Sequence, residues 1–278
     1  MRKLYVSLFA TIALSSCNEW ENDIFKEDNQ EKDGTEIITS DGQLYNMSFD
    51  YWSKDGSGES CYASGATDAE KRVWASANST TAFLGKPTCV PERDFVAVPG
   101  AGKTAVKLQT QSVNVLFAEK LASGCIFTGQ MGNINISKLN ASLKWGVPFT
   151  LRPRSMEGYA CYKPVAINES HAPYEYRSGM TDNGHVFVIL CDWEEQFIVD
   201  PALSSFVDTD NDPAIIGYGK VTFDHSMTGY EKFTLNIEYR NERTPKFLVI
   251  VASSSALGDY FTGGVGSTLY LDEFRFLY

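Results

Sequence analysis

The sequence predicts an all-β domain, a two-sheet β-sandwich of the jelly-roll type. Many short apolar or alternating segments follow one another from Leu44 onward, and turn residues separate them. Residues 185–191 are apolar at both odd and even positions, which is typical of a central strand covered on both faces. Residues 233–240 alternate between apolar and polar side chains, which predicts a strand with one solvated face. The segment 112–122 is the only short helix candidate.

The chain ends on the apolar run 247–252, a loop of small residues and the alternating segment 268–277. Because a two-stranded unit alone is marginal in water, these segments must pair with earlier strands. Those earlier strands are predicted at 45–52, 95–98, 104–110, 126–129, 149–152 and 159–164. Six side chains of the two last segments are expected to share one core: Val249, Val251, Leu269, Leu271, Phe274 and Phe276.

The loop between the two last segments is rich in glycine, with Gly258, Gly263, Gly264 and Gly266 close together. Such a density of glycine indicates positive φ angles and close approach of the backbone to its neighbours. Two interpretations follow from it. The loop is either a tight wrap over one end of the sandwich or a rim that contacts a ligand.

Residues 1–16 have the features of a signal peptide, with basic residues at the start and a short apolar run. The small residues before Cys17 resemble a bacterial lipobox, which implies cleavage there and lipid attachment to the Cys17 sulfur. An ordinary secretory signal is the alternative. Covalent acyl chains would hold the protein at a membrane without a spanning helix. Acidic residues after Cys17 resemble the surface-export signal of Bacteroidetes lipoproteins, so we expect a lipid-anchored protein of the outer membrane, facing the cell exterior.

Residues 17–43 are polar and acidic, and they predict a flexible tether ahead of one domain at 44–278. The whole chain has 278 residues and a formal charge of -11, without basic clusters, which argues against a nucleic-acid partner. Aromatic residues make up 13% of the chain, which suits both β-sheets and surfaces that stack on sugars.

Five cysteines follow Cys17, so at least one must remain a free thiol. Cys61 and Cys89 lie in predicted loops and could pair, whereas the other three lie in apolar runs and resemble buried small hydrophobes. None of them stands in a spacing that indicates zinc or a catalytic nucleophile.

Seven short motifs occur in order along the chain: 74–78 (WASAN), 108–110 (LQT), 123–129 (SGCIFTG), 145–153 (WGVPFTLRP), 158–162 (GYACY), 253–263 (SSSALGDYFTG) and 266–273 (GSTLYLDE). Together they resemble the putative carbohydrate metabolism domain of Bacteroidetes lipoproteins over residues 44–278. The resemblance implies a jelly-roll sandwich like those of carbohydrate-binding modules and some glycanases. It leaves the activity open.

The candidate glycan ligands are aromatic and polar side chains. Trp74 and Asn78 would form a sugar platform, although a tryptophan in a sandwich is often core. Arg152 lies among several tyrosines near His171, and it could instead be a buried arginine paired with a carboxylate. The full set of predicted ligand-binding residues is Trp74, Asn78, Arg152, Tyr159, Tyr162 and Asp182.

A glycosidase would need two carboxylates at a defined separation. Six acidic residues are available, but none stands in a catalytic signature: Glu157, Asp182, Asp192, Glu194, Glu195 and Glu238. His185 begins a buried strand and is interpreted as a hydrogen-bonded histidine rather than a base. Residues 208–212 start like a calcium loop, but the later ligand positions of an EF-hand are absent. The Asp272 carboxylate, at the last strand, is the candidate ligand of a structural calcium ion, and no other cofactor is expected.

We therefore expect a surface lipoprotein whose jelly-roll domain binds carbohydrate without catalysis, in carbohydrate acquisition. A glycoside hydrolase is one alternative, and it requires a carboxylate pair at the base of a cleft. A structural or adhesive surface protein is the other, and it would show neither that pair nor an aromatic-lined face.

Overall fold

The computed structural model describes residues 37–56, 58–115, 118–135 and 140–278. The predicted signal peptide, the lipidation site Cys17 and tether residues 17–36 lie outside these ranges. The described chain contains two one-turn helices, α1 (Asp68–Lys71) and α2 (Asn78–Thr81). Its strands are β1 (Ser53–Asp55), β2 (Gly58–Ser60), β3 (Trp74–Ser76), β4 (Cys89–Glu92), β5 (Ala105–Gln109), β6 (Gln111–Val115), β7 (Ala118–Ala122), β8 (Cys125–Asn135), β9 (Asn140–Trp145), β10 (Val147–Pro148), β11 (Ser155–Lys163), β12 (Gly184–Cys191), β13 (Phe197–Val199), β14 (Ile215–Phe223), β15 (Glu231–Asn236), β16 (Glu238–Tyr239), β17 (Phe247–Ser253) and β18 (Thr268–Leu277).

Two antiparallel sheets form a sandwich, which confirms the predicted all-β jelly-roll class. The five-stranded sheet has the order β15-β11-β18-β5-β4. The nine-stranded sheet has the order β13-β9-β8-β17-β12-β14-β16, with β10 paired to β17 and β3 paired to β8. The hairpins β1-β2 and β6-β7 lie outside these sheets. The two predicted C-terminal strands take central places, since β17 pairs with both β8 and β12, and β18 pairs with both β11 and β5.

The inner faces of the two sheets enclose the main core. Strand β18 contributes Leu269, Leu271, Phe274 and Phe276 to it, as predicted. The prediction for Val249 and Val251 is wrong, because the side chains of β17 alternate between the faces of its sheet. Leu248, Ile250 and Ala252 point into the main core, whereas Val249 and Val251 belong to a second apolar layer on the outer face.

That second layer confirms the prediction that residues 185–191 are covered on both faces. Val186, Val188 and Leu190 lie in the main core, and the alternate residues Phe187, Ile189 and Cys191 lie in the outer layer. Side chains of Phe206, Val207 and Ala214 pack against the layer from outside. The segment around residues 206–214 therefore covers part of the outer face of the nine-stranded sheet.

Several local predictions are wrong. Residues 112–122 do not form a helix but the hairpin β6-β7, in which Ser112 faces Leu121 and Val113 faces Lys120. Residues 45–52 do not form a strand, because Asn46 and Phe49 have φ angles of 54° and 59°. Residues 95–98 and 149–152 are also outside the strands. In the last three segments apolar side chains lie in turns or loops, which the pattern alone cannot distinguish from a strand.

The described end of the predicted tether packs against the domain. Ile37 is 5% exposed, and Tyr45 N donates to its carbonyl oxygen at 2.8 Å. Gln43 bonds Phe276 twice, since it receives the Phe276 N–H at 2.6 Å and donates to the Phe276 carbonyl at 3.2 Å. Ile37 and Gln43, which the sequence analysis places in the tether, thus contact the folded domain. Within the described residues, no helix is long and apolar enough to cross a membrane.

Candidate functional site

Trp74 and Asn78 are core residues. The Trp74 ring packs 5.3 Å from that of Phe49, and its indole N–H donates to Tyr45 O at 2.9 Å. The Asn78 side chain is 2% exposed. It donates hydrogen bonds to Glu59 O and Cys89 O, and it accepts from Thr88 N and Cys89 N. Since neither side chain reaches the surface, their placement does not support the predicted sugar platform. It favours the core interpretation that the sequence left open for Trp74.

Tyr162 and Asp182 are likewise buried. The Tyr162 side chain is fully buried and its hydroxyl donates to Ser254 O at 2.9 Å. Asp182 is 1% exposed and accepts from Ser255 Oγ at 2.6 Å, Gly264 N at 2.8 Å and Asn183 N at 2.8 Å. Desolvation raises the pKa of Asp182, although these donors lower it in part. Both residues hold the C-terminal loop in place.

Arg152 and Tyr159 do not lie in a common cleft. The Arg152 guanidinium stacks 4.1 Å from the centroid of Tyr239 and donates to the carbonyls of Arg243 and Asn241. This arrangement agrees with the structural role that the sequence left open for Arg152. Tyr159 is half-buried on β11, where it faces Asp272 across the strand pair. The six predicted ligand-binding residues are thus spread over the fold and do not form one site.

The region around Asp272 contains an ammonium group between carboxylates. Lys103 Nζ lies 2.9 Å from Asp50 Oδ2 and 2.5 Å from Glu273 Oε1. Asp272 itself is 2% exposed and accepts from Ala97 N at 2.7 Å. No cluster of three or more potential metal ligands occurs in the described ranges. Lys103 pairs with Asp50 and Glu273, and the described contacts of Asp272 give the calcium prediction no support.

The other sequence candidates have structural roles. Asp208 caps its own loop by accepting from Asp210 N and Asn211 N, which agrees with a solvated acidic turn. All five described cysteines are free thiols, and Cys61 and Cys89 are buried without a disulfide between them. Burial raises the pKa of both thiols. A raised pKa disfavours the thiolate, so neither side chain is suited to nucleophilic chemistry.

A buried network of hydroxyl groups fixes the glycine-rich loop. Thr110 Oγ1 lies 2.8 Å from Ser254 Oγ and 2.6 Å from Ser255 Oγ, and Ser255 Oγ donates to Asp182. Four of the sequence motifs that carried the family resemblance lie at or beside this network: 108–110, 123–129, 253–263 and 266–273. The network locks the loop onto the start of β12, which supports the wrap interpretation at residues 253–255 and 264.

Close packing explains the glycines on either side of the network. A Cβ atom at Gly124 would lie 2.2 Å from Gln109 N, and one at Gly258 would lie 2.3 Å from Ser123 Oγ. Such distances are too short for any side chain. The loop therefore reaches a fixed position above the outer face of the nine-stranded sheet.

Beside this loop lies a small cavity, which we call the His185 cavity. Its volume is about 30 Å³, room for one or two groups the size of water. Its walls come from β8, β9, β12, β17 and the glycine-rich loop: Ser123, Cys125, Phe127, Leu143, Trp145, His185, Phe187, Val251, Ser253, Ser255, Ala256, Gly258 and Asp259. Trp145 and His185 both pack on Phe187, with ring centroids 5.7 Å and 5.3 Å away.

Two polar atoms of residues that line the His185 cavity have no hydrogen-bond partner in the part of the chain that the structure describes. Trp145 Nε1 and His185 Nδ1 are buried and unpaired, and the two residues are 6% and 8% exposed. Leaving a buried polar group unpaired costs about 1–3 kcal/mol, so such groups usually have a role in binding. An indole N–H can only donate, whereas a neutral imidazole nitrogen can accept. The pair therefore matches a hydroxyl group, which accepts and donates at once.

Burial shifts the pKa values of His185 and Asp259 in the wall. Burial, and to a smaller degree the charge of Lys220, lowers the pKa of His185 to about 3. The imidazole is therefore neutral at physiological pH. Asp259 is an exposed residue at the cavity mouth, but protein atoms crowd its carboxyl group, and desolvation raises its pKa to about 6.

A row of aromatic side chains, which we call the aromatic rim, begins next to Asp259. Tyr260 packs between Tyr174 and Phe206, with centroids 4.8 Å and 4.9 Å away. Phe261 has a φ angle of 52° and places its ring 6.5 Å from that of His171. Tyr176 is 70% exposed and lies 6.3 Å from Tyr174. Aromatic faces beside a polar cavity are the usual components of a small-ligand site.

The His185 cavity lacks the groups of a glycosidase. Asp259 is the only carboxylate among the described residues that line it. Asp182 lies beneath Ser255 with its oxygens occupied by three donors. A glycosidase of the usual kind needs a second carboxylate about 5–10 Å from the first.

Sequence comparison assigns the chain to a family. A family model described as Putative carbohydrate metabolism domain matches residues 48–277. The chain belongs to this family. It is accordingly a carbohydrate-related domain, and the resemblance seen in its motifs is confirmed. Among curated proteins, no sequence matches this member of the family significantly.

Two solved structures share the fold of this family member. One, from Bacteroides vulgatus and described as a putative glycoside hydrolase, has a TM-score of 0.55 and 19% sequence identity, over 73% of this chain and 85% of that protein. Another, from Bacteroides thetaiotaomicron and described in the same words, has a TM-score of 0.54 and 21% identity, over 74% of this chain and 62% of that protein. At such identities the likeness shows the fold alone.

Sequence reasoning missed Trp145 and Asp259 as site residues and interpreted His185 as hydrogen-bonded. The motifs 145–153 and 253–263 contained the first two, but only as marks of family resemblance. The signal in the sequence was the polar interruption of an otherwise apolar pattern, namely a histidine at the start of a doubly buried strand. Whether that histidine finds a partner depends on tertiary contacts that no spacing reveals.

Proposed function

We propose that this protein binds carbohydrate without hydrolysing it, at the His185 cavity and the aromatic rim. The observation that carries the proposal is the pair of buried, unpaired polar atoms, Trp145 Nε1 and His185 Nδ1, in one cavity. Sugar hydroxyl groups match both atoms in chemistry, since a hydroxyl can accept from the indole and can donate to the imidazole. The rest of the saccharide lies over the aromatic rim, where the ring of Tyr176 is 70% exposed, because aromatic faces stack on the apolar faces of sugar rings.

The family supports carbohydrate as the ligand class, and the absence of a second carboxylate in the cavity wall supports binding without catalysis. We also propose that the protein is a lipoprotein of the outer membrane, held by acyl chains on Cys17 and exposed to glycans outside the cell. The motif around Cys17 supports this part of the proposal.

The first test compares two tryptophans on a glycan array with the full-length protein. Trp145→Phe removes an unpaired N–H and keeps an aromatic ring, so we expect binding to fall about tenfold or more while stability hardly changes. Trp74→Phe is the matched control. Its N–H already bonds Tyr45 O, so this change should reduce stability by about 1 kcal/mol and leave binding intact.

Two results would contradict the proposal. Equal glycan binding by Trp145→Phe and the wild-type protein would remove the cavity from the site. Release of reducing ends from a polysaccharide by the purified protein would show that it is a hydrolase.

A further inference from the structure

A second concave surface lies at the other end of β12. It is an open cleft of about 720 Å³ between the turn after β12, strand β13 and the segment before β14. Trp193 and Phe197 line it, and their ring centroids are 5.2 Å apart. Trp193 belongs to the same outer apolar layer as Trp145 and Phe187, so the cleft and the His185 cavity share one face of the sheet.

The polar residues of the cleft are Arg243, Gln196, Ser205 and three acids, Asp192, Glu194 and Glu195. Asp192 pairs with Arg243, and Glu194 pairs with Lys246. Arg243 is held by Asp192 at 2.6 Å, by the Pro213 carbonyl and by Asn241 Oδ1 at 3.2 Å. A guanidinium group has five N–H donors, so part of its capacity remains for a ligand. Glu195 is exposed and forms no ion pair or hydrogen bond within the described ranges. Its carboxylate is therefore available as an acceptor.

We infer that this cleft is a second saccharide-binding site, and that it takes a neutral chain that also reaches the His185 cavity. The ring of Phe197, beside a guanidinium donor and carboxylate acceptors, suits the apolar faces and hydroxyl groups of a sugar. The inference deepens the proposed function and rests on it for the shared chain. His185 and Cys191 are six residues apart on β12, which corresponds to about 20 Å.

The two sites therefore favour an extended polysaccharide over a mono- or disaccharide. A chain that occupies both sites gains affinity because the second contact is intramolecular. Between them the chain would cross the segment that carries Leu203 and Phe206, where Leu203 is 74% exposed.

The test measures affinity by calorimetry with full-length protein and ladders of cello-, malto- and galacto-oligosaccharides. In the wild type, affinity for the ladder that binds should rise once the chain spans both sites. Glu195→Gln and Phe197→Leu should each lower the affinity for chains that span both sites about tenfold. Each should leave the affinity for short chains unchanged. Phe197→Leu keeps apolar volume against Trp193, and unchanged melting of each variant checks the fold.

The outcomes separate the two sites. If neither cleft variant changes affinity at any chain length while Trp145→Phe weakens all binding, the cleft is no site and the proposed function stands. If the cleft variants weaken binding and Trp145→Phe does not, the cleft stands and the proposed cavity fails. Binding of an oligolysine peptide in the cleft instead of saccharide would overturn the assigned ligand class. A wild-type protein that binds no ladder would contradict both sites.

Discussion

Asp50 and Glu273 bring two carboxyl groups close to one ammonium group, that of Lys103, and a third acid, Asp272, precedes Glu273 on β18. The hydrogen bonds that Lys103 donates to Glu273 and Asp50 raise the pKa of Lys103, so the ammonium stays protonated. Asp272 is the least solvated of the three acids, and desolvation raises its pKa to about 6. The charge of this cluster therefore changes with pH through Asp272, while Lys103 remains a fixed cation.

This pKa has a defined effect on stability. A carboxyl group with a higher pKa in the folded state than in the unfolded state binds protons more tightly when folded. The contribution of Asp272 to the free energy of unfolding is greatest below pH 4. It falls by about 3 kcal/mol between about pH 4 and 6 and is constant at higher pH. In the Asp272→Asn variant, the free energy of unfolding should lack this fall between about pH 4 and 6.

Denaturant unfolding of the wild type and Asp272→Asn at several pH values measures the difference directly. Asp259 and Asp182 titrate in both proteins, so only the Asp272 contribution separates the two curves. Parallel curves from pH 4 to 7 would show that Asp272 is not desolvated as the structure indicates.

Single residues also show the limit of sequence reasoning. Trp74 and Trp145 both lie on β-strands, but one faces the main core and bonds Tyr45 O, while the other lies in the outer layer with its N–H unpaired. The face of a strand that a residue occupies depends on register, and a shift of one residue reverses it. The motif alone could not show which tryptophan was unpaired.

At the scale of elements, the C-terminal strand joins several distant parts of the chain. β18 pairs with β11 and β5, and its end receives the segment before Leu44 through Gln43 and Phe276. Tyr278 Oη donates to Gly42 O at 2.6 Å. The described segment from Ile37 to Gln43 is therefore part of the folded unit.

A chain that begins at Leu44 should be less stable than one that begins at Gly34. It loses the buried side chain of Ile37 and two hydrogen bonds of Gln43, about 2–4 kcal/mol together. The free energy of unfolding of the two chains, with the full-length protein as control, checks this. Equal free energies of unfolding for the two chains would support the tether boundary at Leu44 that the sequence predicts.

Long elements were predictable, and short or irregular ones were not. β12, β17 and β18 have strong apolar patterns and were found close to their actual limits. The hairpin β6-β7 was mistaken for a helix, because its apolar residues are few and their spacing fits both periods. Residues 45–52 fill the core from turns with positive φ angles, and composition does not encode that geometry.

At the scale of the whole molecule, the sandwich has one face that combines an aromatic rim, a polar cavity and an open cleft. The proposed anchor at Cys17 would hold that face outside the membrane. Cys17→Ser should move the protein from the membrane fraction to the soluble fraction, because the acyl chains attach to the Cys17 sulfur. Cys125→Ser is the matched control and should remain in the membrane fraction. A Cys17→Ser protein that resists a carbonate wash would contradict the lipoprotein proposal.

The placement of sugar in the His185 cavity can be observed through the indole N–H signals. The chain has five tryptophans, and each gives one such signal in a proton–nitrogen NMR spectrum. The signal missing from Trp145→Phe identifies Trp145. Titration of the wild type with a saccharide that binds on the array should shift the Trp145 signal strongly, because its N–H gains its first partner, and leave the Trp74 signal in place. An unchanged Trp145 signal at saturation would contradict sugar binding at the cavity.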